Sequence, residues 1–150
     1  MKLNIFSHIE GRGEGLNERK FINIAKKVLK YYLLTVREKS CLAGLEFDTI
    51  SFDILYCDSA KTHQINREYR SKDYPADIIT FAIFADSDEK FIFDGEINLG
   101  EIIIAPDKVE GGEDGLAFLI SHGILHLLGF DHQTEADYNF VVELQKEALK

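Results

Sequence analysis

The order of secondary-structure patterns in this sequence predicts a single α+β domain built around a mixed β-sheet packed with helices. Strand-like and helix-like segments alternate through the first half of the chain, several strands follow, and two helices end it. The length of 150 residues suits one ordinary domain and is too short for two typical ones. With 45% hydrophobic and 29% charged residues, the composition is that of a globular protein. We therefore expect one domain, residues 1–150, with its own core.

The first half of the chain alternates between strands and helices. A strand near Leu3 to Phe6 leads through a glycine-rich turn into a helix that begins near Asn17. The apolar residues of this helix recur at spacings of three and four, which places them on one stripe. Near-alternation from Ile50 to Tyr56 predicts a half-buried strand. Asp58 or Ser59 is suited to cap the short helix that follows.

The second half begins with strands and ends with two helices. Asp77 to Phe84 is rich in Ile, Thr and Phe, which favours a second β segment. Asp94-Gly95 between apolar residues indicates a hairpin, and Ile102 to Ile104 resembles a strand covered on both faces. An apolar helix is predicted from Leu116 to Leu128, closed by the glycine after it. The final helix is expected to begin around Thr134 with a variant of the capping box.

The charge pattern bears on binding partners. The net charge of −9 argues against a general nucleic-acid binder, since the averaged field of the protein repels a polyanion. The segment from Lys61 to Lys72 is the exception, because its four basic residues and one acidic residue give it +3, against −12 for the rest. If a polyanion binds this protein, it is expected to bind near this segment.

Other features of the sequence concern location and cysteine chemistry. No apolar run approaches the ~20 residues needed to cross a bilayer. The N-terminus lacks the apolar centre of a secretion signal. We therefore expect a cytoplasmic protein that does not bind membranes. Cys41 and Cys57 match neither a disulfide framework nor a thiolate zinc motif, so both are interpreted as core residues.

Three of the five histidines lie within eleven residues. His122 and His126 are four positions apart on a predicted helix, so their rings can point to one place. Gly129 ends that helix and lets the chain turn back, which allows His132 to reach the same place from outside it. A lone histidine on an apolar helix is usually a hydrogen-bonded core residue. Three at this spacing, with a glycine before the third, instead predict a metal site.

Zinc is the predicted metal, with one ion per chain. Imidazole ligands argue against Mg²⁺ and Ca²⁺, which prefer oxygen, whereas nickel, copper and iron remain alternatives. Three neutral imidazoles leave the ion its full charge and an open fourth position, as in catalytic zinc sites. A zinc ion held in this way lowers the pKa of its bound water towards ~7 and so supplies hydroxide at neutral pH.

Two sequence blocks resemble the YbeY family of bacterial metal-dependent endoribonucleases, which act in ribosomal RNA maturation. The first is HGILHLLGFDH at 122–132, and the second is NREYRSKDYPADIITF at 66–81. Two blocks in the right order are far more specific than either alone, and the length and element order fit the family over the whole chain. The resemblance implies a single-strand-specific endoribonuclease of ribosomal RNA processing and ribosome quality control. It also implies ribosomal RNA, the ribosome or ribosomal proteins as partners, and no role for DNA.

The resemblance assigns roles only at matching positions. It implies that the three histidines bind zinc and that Arg70 takes part in catalysis. Two positions depart from the family: Glu101 stands where aspartate is usual, and Ala76 replaces a common threonine. Neither change removes a ligand, but the longer side chain of Glu101 leaves its distance from the metal open.

The basic block supplies the candidate substrate contacts. Our hypothesis is that Arg70 neutralises phosphate charge by a forked contact that lysine does not reproduce. Without the resemblance it would be read as an exposed arginine at a helix end. Lys72 and Arg67 are further candidate substrate contacts. Asp131 has two candidate roles: its carboxylate orients a histidine ligand by a hydrogen bond, or it caps the turn after the helix.

Two other functions compete with the ribonuclease. A zinc peptidase of the His-Glu-x-x-His type requires a glutamate general base, and Gly123 occupies that position. The second alternative is a non-enzymatic ribosome-assembly factor whose metal is structural. His8 and His63 have no partner at ligand spacing and are interpreted as surface or structural residues. The glycine run at 11–15 lacks the Lys-Ser/Thr ending of a phosphate loop and is interpreted as a turn.

Overall fold

The computed structural model of the protein describes residues 1–11, 15–131 and 134–150. In this part of the chain the elements follow the order β1 (Lys2–Ile9), α1 (Glu18–Thr35), β2 (Thr49–Tyr56), α2 (Ser59–Tyr69), β3 (Ile78–Phe81), α3 (Ile83–Asp86), β4 (Glu96–Ile104), α4 (Gly112–Leu127) and α5 (Glu135–Leu149). The sheet order is β1-β2-β4-β3. Strands β1, β2 and β4 are parallel, and β3 pairs antiparallel with β4 at the edge. The predicted α+β fold with a mixed sheet is confirmed.

The two faces of the sheet are covered by different helices. Ile102 and Ile104 of β4 point into the larger core, which they share with residues of α1, α4 and α5. Ile103 points to the opposite face because side chains alternate along a strand, and there it lies in a second apolar cluster with Ile65 of α2. Helix α2 is therefore separated by the sheet from the helix that carries the histidines.

Helix α1 is present, as the apolar stripe in the sequence predicted. The side chain of Asn17 accepts a hydrogen bond from the Lys20 backbone N–H at 3.1 Å, which caps the first turn. Its buried residues are Phe21, Ala25, Val28, Leu29 and Tyr32. The Tyr32 hydroxyl donates to the Ser121 carbonyl at 3.2 Å, so α1 is bonded directly to the middle of α4.

Several predicted elements differ from the observed ones in extent. The β segment expected over 77–84 contains only strand β3, because the chain leaves the sheet after Phe81 and forms the short helix α3. The hairpin at Asp94-Gly95 is present as a tight turn joined by a single bridge between Phe93 and Glu96. Helix α4 begins at Gly112, one turn earlier than predicted. The cap of α5 is confirmed, since Thr134 Oγ1 accepts from the Asp137 N–H at 3.1 Å.

Two further predictions concern the cysteines and the absence of a membrane span. Both cysteines are free thiols, with Cys57 buried and Cys41 half-buried. Within residues 1–11, 15–131 and 134–150, no helix combines the length and the apolar character needed to span a membrane.

Gly100 closes the contact between β4 and the end of β3. Its φ is +133°, and a Cβ atom there would lie 2.0 Å from the Phe81 carbonyl oxygen. We expect Gly100→Ala to lower the free energy of unfolding by about 3 kcal/mol or more, since it adds backbone strain to a steric overlap. Urea unfolding measures this loss. Gly44→Ala is the matched control, because Gly44 has φ +74° but open space around it. Equal losses in the two variants would contradict the steric contribution.

Candidate metal centre

His122 and His126 lie one turn apart on α4, and both are half-buried. Their Nε2 atoms are 2.9 Å apart, and their rings meet edge to face with centroids 4.5 Å apart. Two imidazoles bound to a tetrahedral zinc ion at 2.0–2.1 Å hold their nitrogens about 3.3 Å apart. The pair therefore fits such an ion after a small rotation of either ring.

Gly129 closes α4 directly after the histidine pair. Its φ is +91°, a left-handed conformation that glycine adopts readily. The Phe130 N–H donates to the Leu125 carbonyl and the Gly129 N–H to the His126 carbonyl, both at 3.0 Å. This is the Schellman pattern of helix termination. The turn predicted between the second and third histidines is therefore present.

The third predicted ligand, His132, lies outside the described residues, so its place at the site stays a prediction. Among the residues that the structure does describe, no group of three or more His, Cys, Asp or Glu side chains is arranged to hold a metal ion. Asp131 is exposed and directly precedes His132 in the chain. Its two proposed roles both stay open.

Gln145 of α5 contacts the histidine pair and was missed by the sequence reasoning. Its amide nitrogen is 2.7 Å from His122 Nδ1, the ring nitrogen that does not face His126. The side chain is 1% exposed. A signal was available, because Gln145 is polar yet lies four residues after Val141 on the apolar stripe of its helix.

Gly123 is buried between the two histidines on the side of α4 that faces the sheet. A Cβ atom there would lie 2.9 Å from Ile102 Cδ1 and 3.2 Å from Ile78 Cδ1. A glutamate side chain at this position would be directed into apolar core. The glycine therefore fits the packing of α4 on the sheet, and a peptidase-type general base does not fit at position 123.

Arg70 follows the last residue of α2 and is exposed. Its Nη1 donates to the side-chain oxygen of Asn66 at 3.3 Å. Asn66 is fully buried, and its amide donates to the Tyr74 carbonyl at 2.8 Å. The Asn66 carbonyl also accepts from the Arg70 and Lys72 N–H groups, both at 3.0 Å. Asn66 thus organises the loop that carries Arg70, a role that the sequence did not reveal.

The other residues of the basic segment lie at the surface. Arg67 is exposed, and Lys72 is half-buried with its Nζ 6.0 Å from the centre of the Tyr74 ring. His63 Nε2 is 2.8 Å from Asp73 Oδ1. This contact agrees with a structural role for His63.

Strand β3 lies between the end of α2, which precedes Arg70, and helix α4, which carries the histidine pair. On one face, Ile78 of β3 packs against α4 at Gly123. On the other, the ring of Phe81 lies 6.4 Å from that of Tyr69, the residue before Arg70. The hydrogen bond described for Arg70 is with Asn66 rather than with either histidine. The two helices from which the candidate site is built, α2 and α4, therefore flank the edge strand.

Glu101 points away from the histidine pair. Its neighbour Ile102 contacts α4 at Gly123, so alternation along β4 directs Glu101 to the opposite face. There, burial raises the pKa of Glu101, the nearby carboxylate of Asp53 raises it further, and His8 opposes them. Glu101 thus lies near Asp53 and His8 on the face of the sheet opposite α4.

Comparison with known proteins identifies the family. A sequence profile described as "Endoribonuclease YbeY" matches residues 9–150. The chain belongs to the YbeY endoribonuclease family. Since the family is one of endoribonucleases, this YbeY family member is a hydrolase that cleaves RNA internally. The resemblance drawn from the two sequence blocks is thereby confirmed.

Relatives of known name agree with this assignment. The chain is 34% identical over 135 residues to "Endoribonuclease YbeY" of Malacoplasma penetrans, which covers 88% of this chain and 85% of that one. It is 40% identical over 114 residues to the protein of the same name from Pediococcus pentosaceus, covering 67% and 71%. The solution structure of TM1509 from Thermotoga maritima matches 97% of this chain and 86% of its own at a TM-score of 0.57 and 22% identity. That last similarity supports the overall α+β fold alone.

Proposed function

We propose that this YbeY family member is a zinc-dependent, single-strand-specific endoribonuclease that acts in ribosomal RNA maturation and ribosome quality control in the cytoplasm. Residues 1–150 form one metal-dependent hydrolase domain in this proposal. The observation that carries it is the 2.9 Å approach of the His122 and His126 Nε2 atoms, on a helix that ends shortly before His132. These three residues are the proposed ligands.

The donor set of the site suits zinc. Two imidazole nitrogens already converge, and a third histidine follows the turn at Gly129 in the sequence. Zinc bound to three histidines would supply an activated water at neutral pH and leave one coordination position open for it. Nickel, copper and iron accept the same ligands, so metal analysis must identify the ion.

The chain's own cations would bind the RNA. Arg70 retains guanidinium N–H groups beyond the one bonded to Asn66, and these form a fork suited to phosphate oxygens. Lys72 and Arg67 would bind neighbouring phosphates. Helices α2 and α4 flank β3, so an RNA strand that crosses this edge would contact both Arg70 and the histidine pair. Since the chain as a whole carries −9, we propose that the ribosome or ribosomal proteins assist substrate delivery.

Removal of the metal tests this proposal. Wild-type protein stripped with a chelator is expected to lose cleavage of single-stranded ribosomal RNA and to recover it when one equivalent of zinc is added. A duplex of the same sequence is expected to be cleaved far more slowly. Elemental analysis of each preparation gives the metal content, and gel analysis of end-labelled RNA gives the rate.

The same experiment separates the competing functions. RNA binding without any metal-dependent rate would favour the assembly factor with a structural metal. Cleavage of an unstructured protein but not of RNA would favour the peptidase, against the apolar surroundings of Gly123. Recovery with nickel, copper or iron but not zinc would retain the enzyme and change its metal.

A further inference from the structure

The contact between Gln145 and His122 joins α5 to the proposed metal ligand. The Gln145 amide lies 2.7 Å from Nδ1, while His122 Nε2 faces His126 at 2.9 Å. The two nitrogens of the His122 ring thus have separate partners. Because Gln145 is almost fully buried, bulk water does not compete with its amide for His122 Nδ1.

The imidazole ring determines which hydrogen-bonding group Gln145 must present to it. A histidine that binds a metal through Nε2 carries its proton on Nδ1, which must then donate a hydrogen bond. The glutamine amide has an oxygen and a nitrogen of similar shape, and a half-turn about its last bond exchanges them. With its oxygen turned to Nδ1, the amide accepts a hydrogen bond from the Nδ1–H group.

We infer that Gln145 is a positioning residue that accepts a hydrogen bond from the Nδ1–H group of His122, and so fixes the tautomer and ring orientation that present Nε2 to the metal. This inference rests on the proposed metal site. It extends the site to α5, which otherwise contributes packing residues such as Val141 and Leu144. Docking of α5 against α4 then becomes part of metal binding.

Two substitutions at position 145 separate the hydrogen bond from the packing. Gln145→Leu keeps a similar volume but removes the acceptor, and we expect it to weaken zinc binding about 10- to 100-fold. Gln145→Glu supplies an acceptor that cannot act as a donor when ionised, and it is expected to bind zinc at least as tightly as wild type. Competition with a chromophoric chelator measures both affinities without reference to catalysis.

Leu144→Ala is the matched control on the same helix. Leu144 is buried, so its truncation loosens α5 while leaving the amide in place. We expect it to lower the unfolding midpoint but to change zinc affinity less than threefold. An equal loss of affinity in Leu144→Ala and Gln145→Leu would overturn the inference, because helix displacement would then explain both.

The histidine tautomer gives a second readout. In zinc-loaded wild-type protein, long-range ¹H–¹⁵N correlation spectra are expected to show the His122 proton on Nδ1. A metal bound to Nδ1, or a Gln145→Leu variant with wild-type affinity, would overturn the positioning role while leaving the metal site intact. Wild-type protein that takes up no zinc or other divalent transition metal would overturn both proposals.

Discussion

His126→Ala is expected to abolish stoichiometric zinc binding and to lower metal-dependent RNA cleavage by more than about 100-fold. Loss of an outer partner of a metal ligand already costs 10- to 100-fold in affinity or activity, and loss of a ligand itself costs more. The Nε2 of His126 is one of the two nitrogens that converge at 2.9 Å, so the remaining ring alone cannot define the site. Elemental analysis and single-turnover cleavage assays measure the two losses.

His63→Ala is the matched control for this variant. His63 is also a histidine on a helix, but it pairs with Asp73 in the basic segment and lies outside the proposed site. We expect it to retain one zinc per chain and a cleavage rate within about threefold of wild type, since a contact with a side chain as exposed as Asp73 contributes little. Equal cleavage by wild type and His126→Ala would point to a contaminating nuclease and favour the binding function. Full zinc content in His126→Ala would reject the ligand assignment.

The parts of the fold that depend on local periodicity could be predicted from the sequence. The stripe of α1 and the threonine cap of α5 are properties of neighbouring residues, and both are confirmed. The extent of β3 was predicted wrongly because it depends on its partner. Pairing with β4 ends where the Phe81 carbonyl meets Gly100, and no pattern within 77–84 contains that information.

In the candidate site, too, local contacts could be predicted from the sequence and contacts between elements could not. The approach of His122 to His126 follows from a spacing of four on one helix, so the sequence was sufficient for it. The contact with Gln145 joins residues 23 positions apart on two helices and depends on how those helices pack. The direction of Glu101 likewise depends on which face of the sheet α4 covers. Contacts between elements required the structure.

Arg70→Lys is expected to lower the rate of RNA cleavage on the order of 10²-fold while leaving zinc content unchanged. Loss of one donor to developing negative charge in an active site has an effect of this size. Lysine keeps the positive charge but loses the planar fork. It also lacks the geometry by which Nη1 bonds to Asn66 while other N–H groups remain for phosphate. The loss should therefore appear in kcat more than in KM.

Arg67→Lys provides the comparison, because Arg67 is exposed on α2, three residues before Arg70. There the charge alone is expected to matter, so the change should be less than about threefold and should decrease further at high salt. If the two lysine variants lose activity equally, Arg70 acts as a general phosphate contact. If Arg70→Lys has full activity, the forked contact of Arg70 has no role in the reaction. A selective kcat loss at Arg70 would link α2 to the histidine pair through the substrate, since α2 and α4 flank β3.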